Sequence, residues 1–142
     1  MQTQKKVQMN GIEMRCAIAD PTWVARLLID QCASLPKSVC RSRADMFLND
    51  GHALGYAYGF SAQASRHAHG AAHDEMGRKY IEKVFAAVLE DTNKAQSFVT
   101  FSRFQFDDLN FDSGSATGIM DLNDWVMSHG SARPNGLVER YQ

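Results

Sequence analysis

The apolar positions of this chain change period several times, and each change marks an expected element. Over residues 5–18, Val7 and Met9 alternate with polar neighbours, and so do Ile12, Met14, Cys16 and Ile18, on either side of Asn10-Gly11. Period-two alternation creates one buried face, and Asn-Gly takes up the positive φ angles of a type I′ turn, so the pattern predicts a β-hairpin. Asp20-Pro21 then reads as a helix start. Aspartate caps the first turn, and proline at the first helical position gives up only an N–H that had no partner. Val24, Leu27, Leu28, Gln31 and Leu35 share one face of this helix, which should stop before Pro36.

Residues 41–66 have helical character with an unusual feature: Gly51, Gly55 and Gly59 recur every four residues, interleaved with Ala53 and Ala57. Each interior glycine costs a helix about 1 kcal/mol relative to alanine. Three in register imply either very close helix contact or a break near Asn49-Asp50-Gly51. The strongest helical stripe runs over residues 71–89, where Ile81, Val84, Phe85 and Val88 line up with Met76 and Tyr80. Residues 97–106, SFVTFSRFQF, are rich in β-branched and aromatic types and predict a strand. Residues 107–117 read as an acidic loop, and Ile119, Leu122, Val126 and Met127 as a short last helix ending near Gly130. The tail from about residue 131, with Pro134-Asn135-Gly136, is expected to be irregular. The elements add up to an α+β domain: a small antiparallel sheet, made of the N-terminal hairpin and the later strand, covered by about four helices. A mostly α fold carrying an N-terminal hairpin is the alternative.

Composition narrows the setting. At 142 residues the chain suits a single domain over 1–142, with 44% hydrophobic and 22% charged residues. A net charge of -1 supplies no global pull towards nucleic acid or acidic lipid. Cys16, Cys32 and Cys40 are an odd count without a CxxC pair, which points to reduced thiols and a cytoplasmic setting. The polar start, MQTQKKVQMNG, has no apolar core of a secretory signal, and no stretch approaches the roughly 18 apolar residues of a membrane helix.

Several groups of residues carry candidate chemistry. His67, His69 and His73 form an HxHx3H spacing that suits a zinc shell completed by water, if the segment is extended at its start and turns at Gly70. Glu75 would then serve as the catalytic base. In a continuous helix His67 and His69 would instead point about 200° apart, and the shell would fail. Asp108, Asn110 and Asp112 alternate as in calcium loops, but the sixth and twelfth places hold Ser113 and Ile119, so calcium fits less well than zinc. Cys40 lies near Lys37, Arg41 and Arg43, whose charges should favour its thiolate. The same basic trio is the natural start of a nucleic-acid patch, with Tyr56 and Tyr58 as stacking groups.

The small-residue stripe offers another reading. A helix face of Gly51, Gly55 and Gly59 admits a close partner, and Tyr56, Tyr58 and Phe60 are anchors of the kind that dominate interfaces. The chain's own core is the plainest occupant, and a second copy the next. Every catalytic constellation is incomplete, so the sequence points to a small non-catalytic binding protein that pairs with itself or with another protein. A zinc-type hydrolase built on the histidines is the alternative, and a nucleic-acid-associated regulator a more distant one.

Overall fold

Asn10 opens a helix rather than a hairpin. Its Oδ1 accepts the Glu13 N–H at 2.8 Å, while Glu13 Oε1 accepts the Asn10 N–H at 3.1 Å. That reciprocal capping box starts α1 (Gly11–Ala19). In the computed structural model, which describes residues 8–142, the chain forms eight helices and no strand among the described residues. The expected α+β class is thereby overturned, and so is a hairpin in the all-helical alternative. Met14, Ala17 and Ile18 are the buried positions of α1, spaced three and four apart, while Ile12 and Cys16 face out. The alternation at Met14, Cys16 and Ile18 is therefore a helical spacing in which the middle residue is exposed. Residues 5–7 of the expected hairpin lie outside the described residues.

Asp20 ends α1 and begins α2 (Pro21–Ala33), accepting the Thr22 N–H at 2.9 Å. Val24, Leu28 and Gln31 are buried on it, much as their spacing predicts. Asp50 plays the same double role between α3 (Arg43–Asn49) and α4 (Gly51–His69), so the break falls at Asn49-Asp50-Gly51. The 19-residue α4 is the axis of the fold: Ala53 to Ala62 are buried without interruption. Gly70, at φ 77°, closes it in the left-handed region that glycine enters without a Cβ clash.

Helix α5 (Glu75–Leu89) begins behind the Asp74 cap and buries Tyr80, Ile81, Val84, Phe85 and Val88, whereas Met76 is exposed. Of the expected strand, residues 103–106 form a turn, and residues 97–102 are the end of α6 (Thr92–Ser102), which Asp91 caps. Ala95, Phe98, Val99 and Ser102 are its buried face at spacings of three and four. Burial against α5 outweighs the β propensity of the individual residues. The acidic loop and the short last helix are one element, α7 (Leu109–Met127), capped by Asp108. The tail holds a further short helix, α8 (Gly136–Arg140).

The packing of α4 on α7 organises the rest. A Cβ built on Gly55 would lie 2.1 Å from Phe111 O, and one on Gly59 would lie 2.3 Å from Ser115 O. From the other side, a Cβ on Gly114 would lie 2.0 Å from His52 O, and one on Gly118 would lie 2.3 Å from Tyr56 O. Rising numbers on α4 meet rising numbers on α7, so the two helices run parallel and touch backbone to backbone. Such contact needs hydrogen in place of side chains on both surfaces.

A buried polar chain locks α8 onto this pair. Tyr56 donates to Asp121 Oδ2, and Gln31 Nε2 donates to the Tyr56 oxygen at 2.9 Å. The free N–H groups of α8 complete it: Gly136 N–H donates to Asp121 at 2.9 Å and Leu137 N–H to Gln31 Oε1 at 2.9 Å. Arg140 and Tyr141 then both donate to Asp50 at the head of α4. No described helix is long and apolar enough to cross a membrane.

Candidate functional site

The expected residues are placed by the helices just described. His67 and His69 lie on the continuous α4, where the 100° turn per residue sends them to different sides. His67 Nε2 donates to Asn123 Oδ1 at 2.9 Å, while the His69 ring meets Tyr80 edge-on, 5.6 Å between centroids. His73, beyond Gly70, faces Arg66 at 3.4 Å and the ring of Phe106. Among the described residues no three His, Cys, Asp or Glu side chains gather closely enough to hold a metal ion. Glu75 is exposed in the first turn of α5 and leans towards Lys79 at 3.5 Å.

The calcium-like acids have other tasks. Asp108 caps α7 through the Phe111 N–H at 3.0 Å, and Asp112 Oδ2 accepts the Asp107 N–H at 3.1 Å. Asn110 lies in the first turn of α7, beside Gly51. The three residues therefore occupy a helix start and not a loop that wraps an ion.

Of the proposed partner surface, Gly55, Tyr56, Tyr58, Gly59 and Phe60 are all buried, and only Gly51 is exposed. The space beside Gly55 and Gly59 is filled by α7 of the same chain. Tyr56 and Tyr58 accordingly offer no face on which a base can stack.

Arg41 and Arg43 line a cavity of about 420 Å³ together with Cys32, Cys40 and Lys94, while Lys37 stands exposed in the preceding turn. Burial pushes the Cys40 thiol up, and the opposing pull of Arg43 is smaller, so the expected activation of this thiol does not occur. Its buried neighbour Cys32 is pushed up to about 12 by the same desolvation, with Cys40 adding to it.

The feature that sequence reasoning passed over is a trough between α3 and α6. Phe47 and Phe98 form its floor, in an edge-to-face pair 6.2 Å between centroids, with Phe85 of α5 beneath. Leu48 on one bank is 71% exposed and Phe101 on the other 53%, although both are large apolar side chains. The cavity between them measures about 590 Å³. Asp45 stands on the α3 bank and Lys94 on the α6 bank. The signal was present in the sequence: Lys94, Phe98 and Phe101 share one helical face, visible only once residues 92–102 are read as a helix.

Compared with protein-family models, with curated proteins and with solved structures, the chain matches none.

Proposed function

We propose that this protein is a small non-catalytic interaction module that pairs with a second copy of itself through the α3–α6 trough. The carrying observation is the apolar trough itself, with Leu48 and Phe101 standing 71% and 53% exposed above a floor of Phe47 and Phe98. Burying such side chains is worth about 1.5–3 kcal/mol each, the kind of gain that holds an interface together. The charges favour a second copy over another occupant. Asp45 and Lys94 stand on opposite banks, so a two-fold axis along the trough sets each Asp45 against the other copy's Lys94. The charges of one patch thus complement those of its copy, and Leu48 and Phe101 on the banks come together across the axis.

Sedimentation velocity on the purified protein, from micromolar to near-millimolar concentration, tests this. A concentration-dependent dimer is expected, and Phe101→Asp with Leu48→Asp should return it to monomer with an unchanged circular-dichroism spectrum. The charge reversal Lys94→Asp should weaken pairing, and adding Asp45→Lys should restore it. A monomer at every concentration, or a dimer indifferent to these substitutions, overturns the reading.

A further inference from the structure

Cys32 and Cys40 line one cavity of about 420 Å³, where the end of α2, the start of α3 and the end of α5 come together. Cys32 lies in the last turn of α2, and two hydrogen-bonded turns fold the chain back beyond it. Leu35 N–H donates to Cys32 O at 3.1 Å, and Cys40 N–H donates to Pro36 O at 3.0 Å. Both side chains pack against the core, Cys32 buried and Cys40 half-buried, and both are free thiols. Burial pushes Cys32 up to about 12, with Cys40 adding to it, and burial pushes Cys40 up against Arg43 and then Cys32.

The rest of the cavity indicates what would reach the two sulfurs. Arg41, Arg43 and Lys94 line it against one acid, Glu90. Among the described residues none of these three cations stands within ion-pair distance of a carboxylate. An open cavity lined by unpaired cations raises the local concentration of anionic solutes. The third cysteine, Cys16, is exposed on α1 and takes no part in this cavity.

We propose that Cys32 and Cys40 are a redox pair that closes to a disulfide by exchange with an anionic low-molecular-weight disulfide such as oxidised glutathione. Cys40, the more open of the two, attacks first as its thiolate. Its sulfur bonds to one sulfur of the oxidant, whose S–S bond breaks and releases one glutathione thiolate. Cys32 then gives its proton to solvent and attacks the Cys40 sulfur, and the second glutathione leaves. Two protein thiols thereby lose two protons and two electrons, and the oxidant becomes two molecules of reduced glutathione. The second step is intramolecular, so it outpaces encounter with further oxidant. Because the thiolate is the nucleophile, the exchange quickens as pH rises. Only Ala44 and Lys94 are shared with the α3–α6 trough, and neither carries a thiol, so a failure of self-pairing and a failure of the disulfide are separate outcomes.

The test incubates the folded full chain carrying Cys16→Ser, an exposed position, with oxidised glutathione at about pH 8. The reaction is quenched in acid before unfolding and read by intact mass and peptide mapping. Loss of two hydrogens, a linked Cys32–Cys40 peptide and no retained glutathione are expected. Cys32→Ala should instead trap glutathione on Cys40, and in the Cys16→Ser protein itself the same adduct should appear at early times and then decay. The ratio of the rates with oxidised glutathione and with neutral hydroxyethyl disulfide should fall several-fold in Arg41→Glu. A ratio unchanged by Arg41→Glu overturns the choice of an anionic oxidant. Glutathione that stays on Cys40 while Cys32 remains a thiol overturns the pair. So do two thiols left untouched at oxidant concentrations that convert Cys16 of the parent.

Discussion

Tyr56 donates its phenolic hydrogen to Asp121 across 2.5 Å, joining two parallel helices 65 residues apart in sequence. The same oxygen accepts from Gln31, and Asp121 accepts from the backbone of Gly136, so one buried contact carries α2, α4, α7 and α8 together. Burial pushes the Tyr56 phenol well above its usual range, and the Asp121 carboxylate pushes it further, so the donor keeps its proton throughout the physiological range.

Removing this hydroxyl should cost more than one hydrogen bond. Tyr56→Phe leaves the ring stacked on Phe60 but deprives Gln31 and Asp121 of a partner inside the core. An unsatisfied buried polar group costs about 1–3 kcal/mol, so a loss of about 2 kcal/mol or more is expected in urea unfolding. The α8 amides should also exchange faster with solvent, because Gly136 and Leu137 donate to the two residues that the Tyr56 hydroxyl holds in place. A variant as stable as the parent, with α8 still protected, removes the network from the account of stability.

The α4–α7 seam makes a prediction with the opposite sign to helix propensity. Alanine is favoured over glycine in an open helix by about 1 kcal/mol, so a free helical surface gains from the exchange. At Gly59 the added carbon would meet Ser115 O at 2.3 Å, and at Gly118 it would meet Tyr56 O at 2.3 Å. Backbone cannot rotate aside as a side chain does, and overpacking of this kind costs typically 1–3 kcal/mol or more. Gly59→Ala and Gly118→Ala are each expected to lose about 2 kcal/mol or more, while Gly11→Ala, with nothing within 4 Å, should be neutral or stabilising. Equal stabilities for all three in thermal unfolding contradict the seam.

That seam also shows where sequence reading ran short. The four-residue glycine repeat of α4 stands out, and its plainest meaning, close contact inside the chain, fits the fold. Its counterpart, Gly114 and Gly118, has the same spacing but sits in DSGSATG, whose polar residues resemble a loop. Asp108 looked like the first residue of an ion-binding loop, and it is a helix cap. The same aspartate chemistry serves both, and only a partner N–H distinguishes them. Asp20, Asp50, Asp74 and Asp91 are caps as well, so Asp20-Pro21 was legible because proline follows it, and the others were less so. The misread strand has a similar origin. Phe98 and Val99 are good strand residues individually, and their helical spacing with Ala95 and Ser102 outweighs this only when α5 provides a surface to bury against.

The last prediction concerns acid. Asp50 caps α4 through the His52 N–H and accepts from Arg140 Nε at 2.9 Å and from Tyr141. Burial pushes its carboxyl up, but the hydrogen bonds from Arg140 and Tyr141 outweigh burial and hold the carboxyl below its usual range. A carboxyl depressed in the folded state binds its proton more readily when unfolded, so its stabilisation is complete above the ordinary carboxylate value of about 3.9. That stabilisation fades as pH falls through the ordinary value and on through the lower folded one. Asp50→Asn isolates the effect, because asparagine caps a helix as well as aspartate but carries no charge for Arg140. The pair is partly exposed, at 36% and 18%, so a difference of about 1 kcal/mol is expected at neutral pH. The gap between parent and variant in urea unfolding should close below about pH 4, with α8 loosening in the parent over the same interval. His52, half-buried, is pushed down by burial and then by Arg140 and is held up by Asp50, so Asp50→Asn lowers it further, and the gap is read at neutral pH and again below about pH 4. A gap that persists unchanged into strong acid means that the charge of Asp50 is not what holds Arg140 and Tyr141.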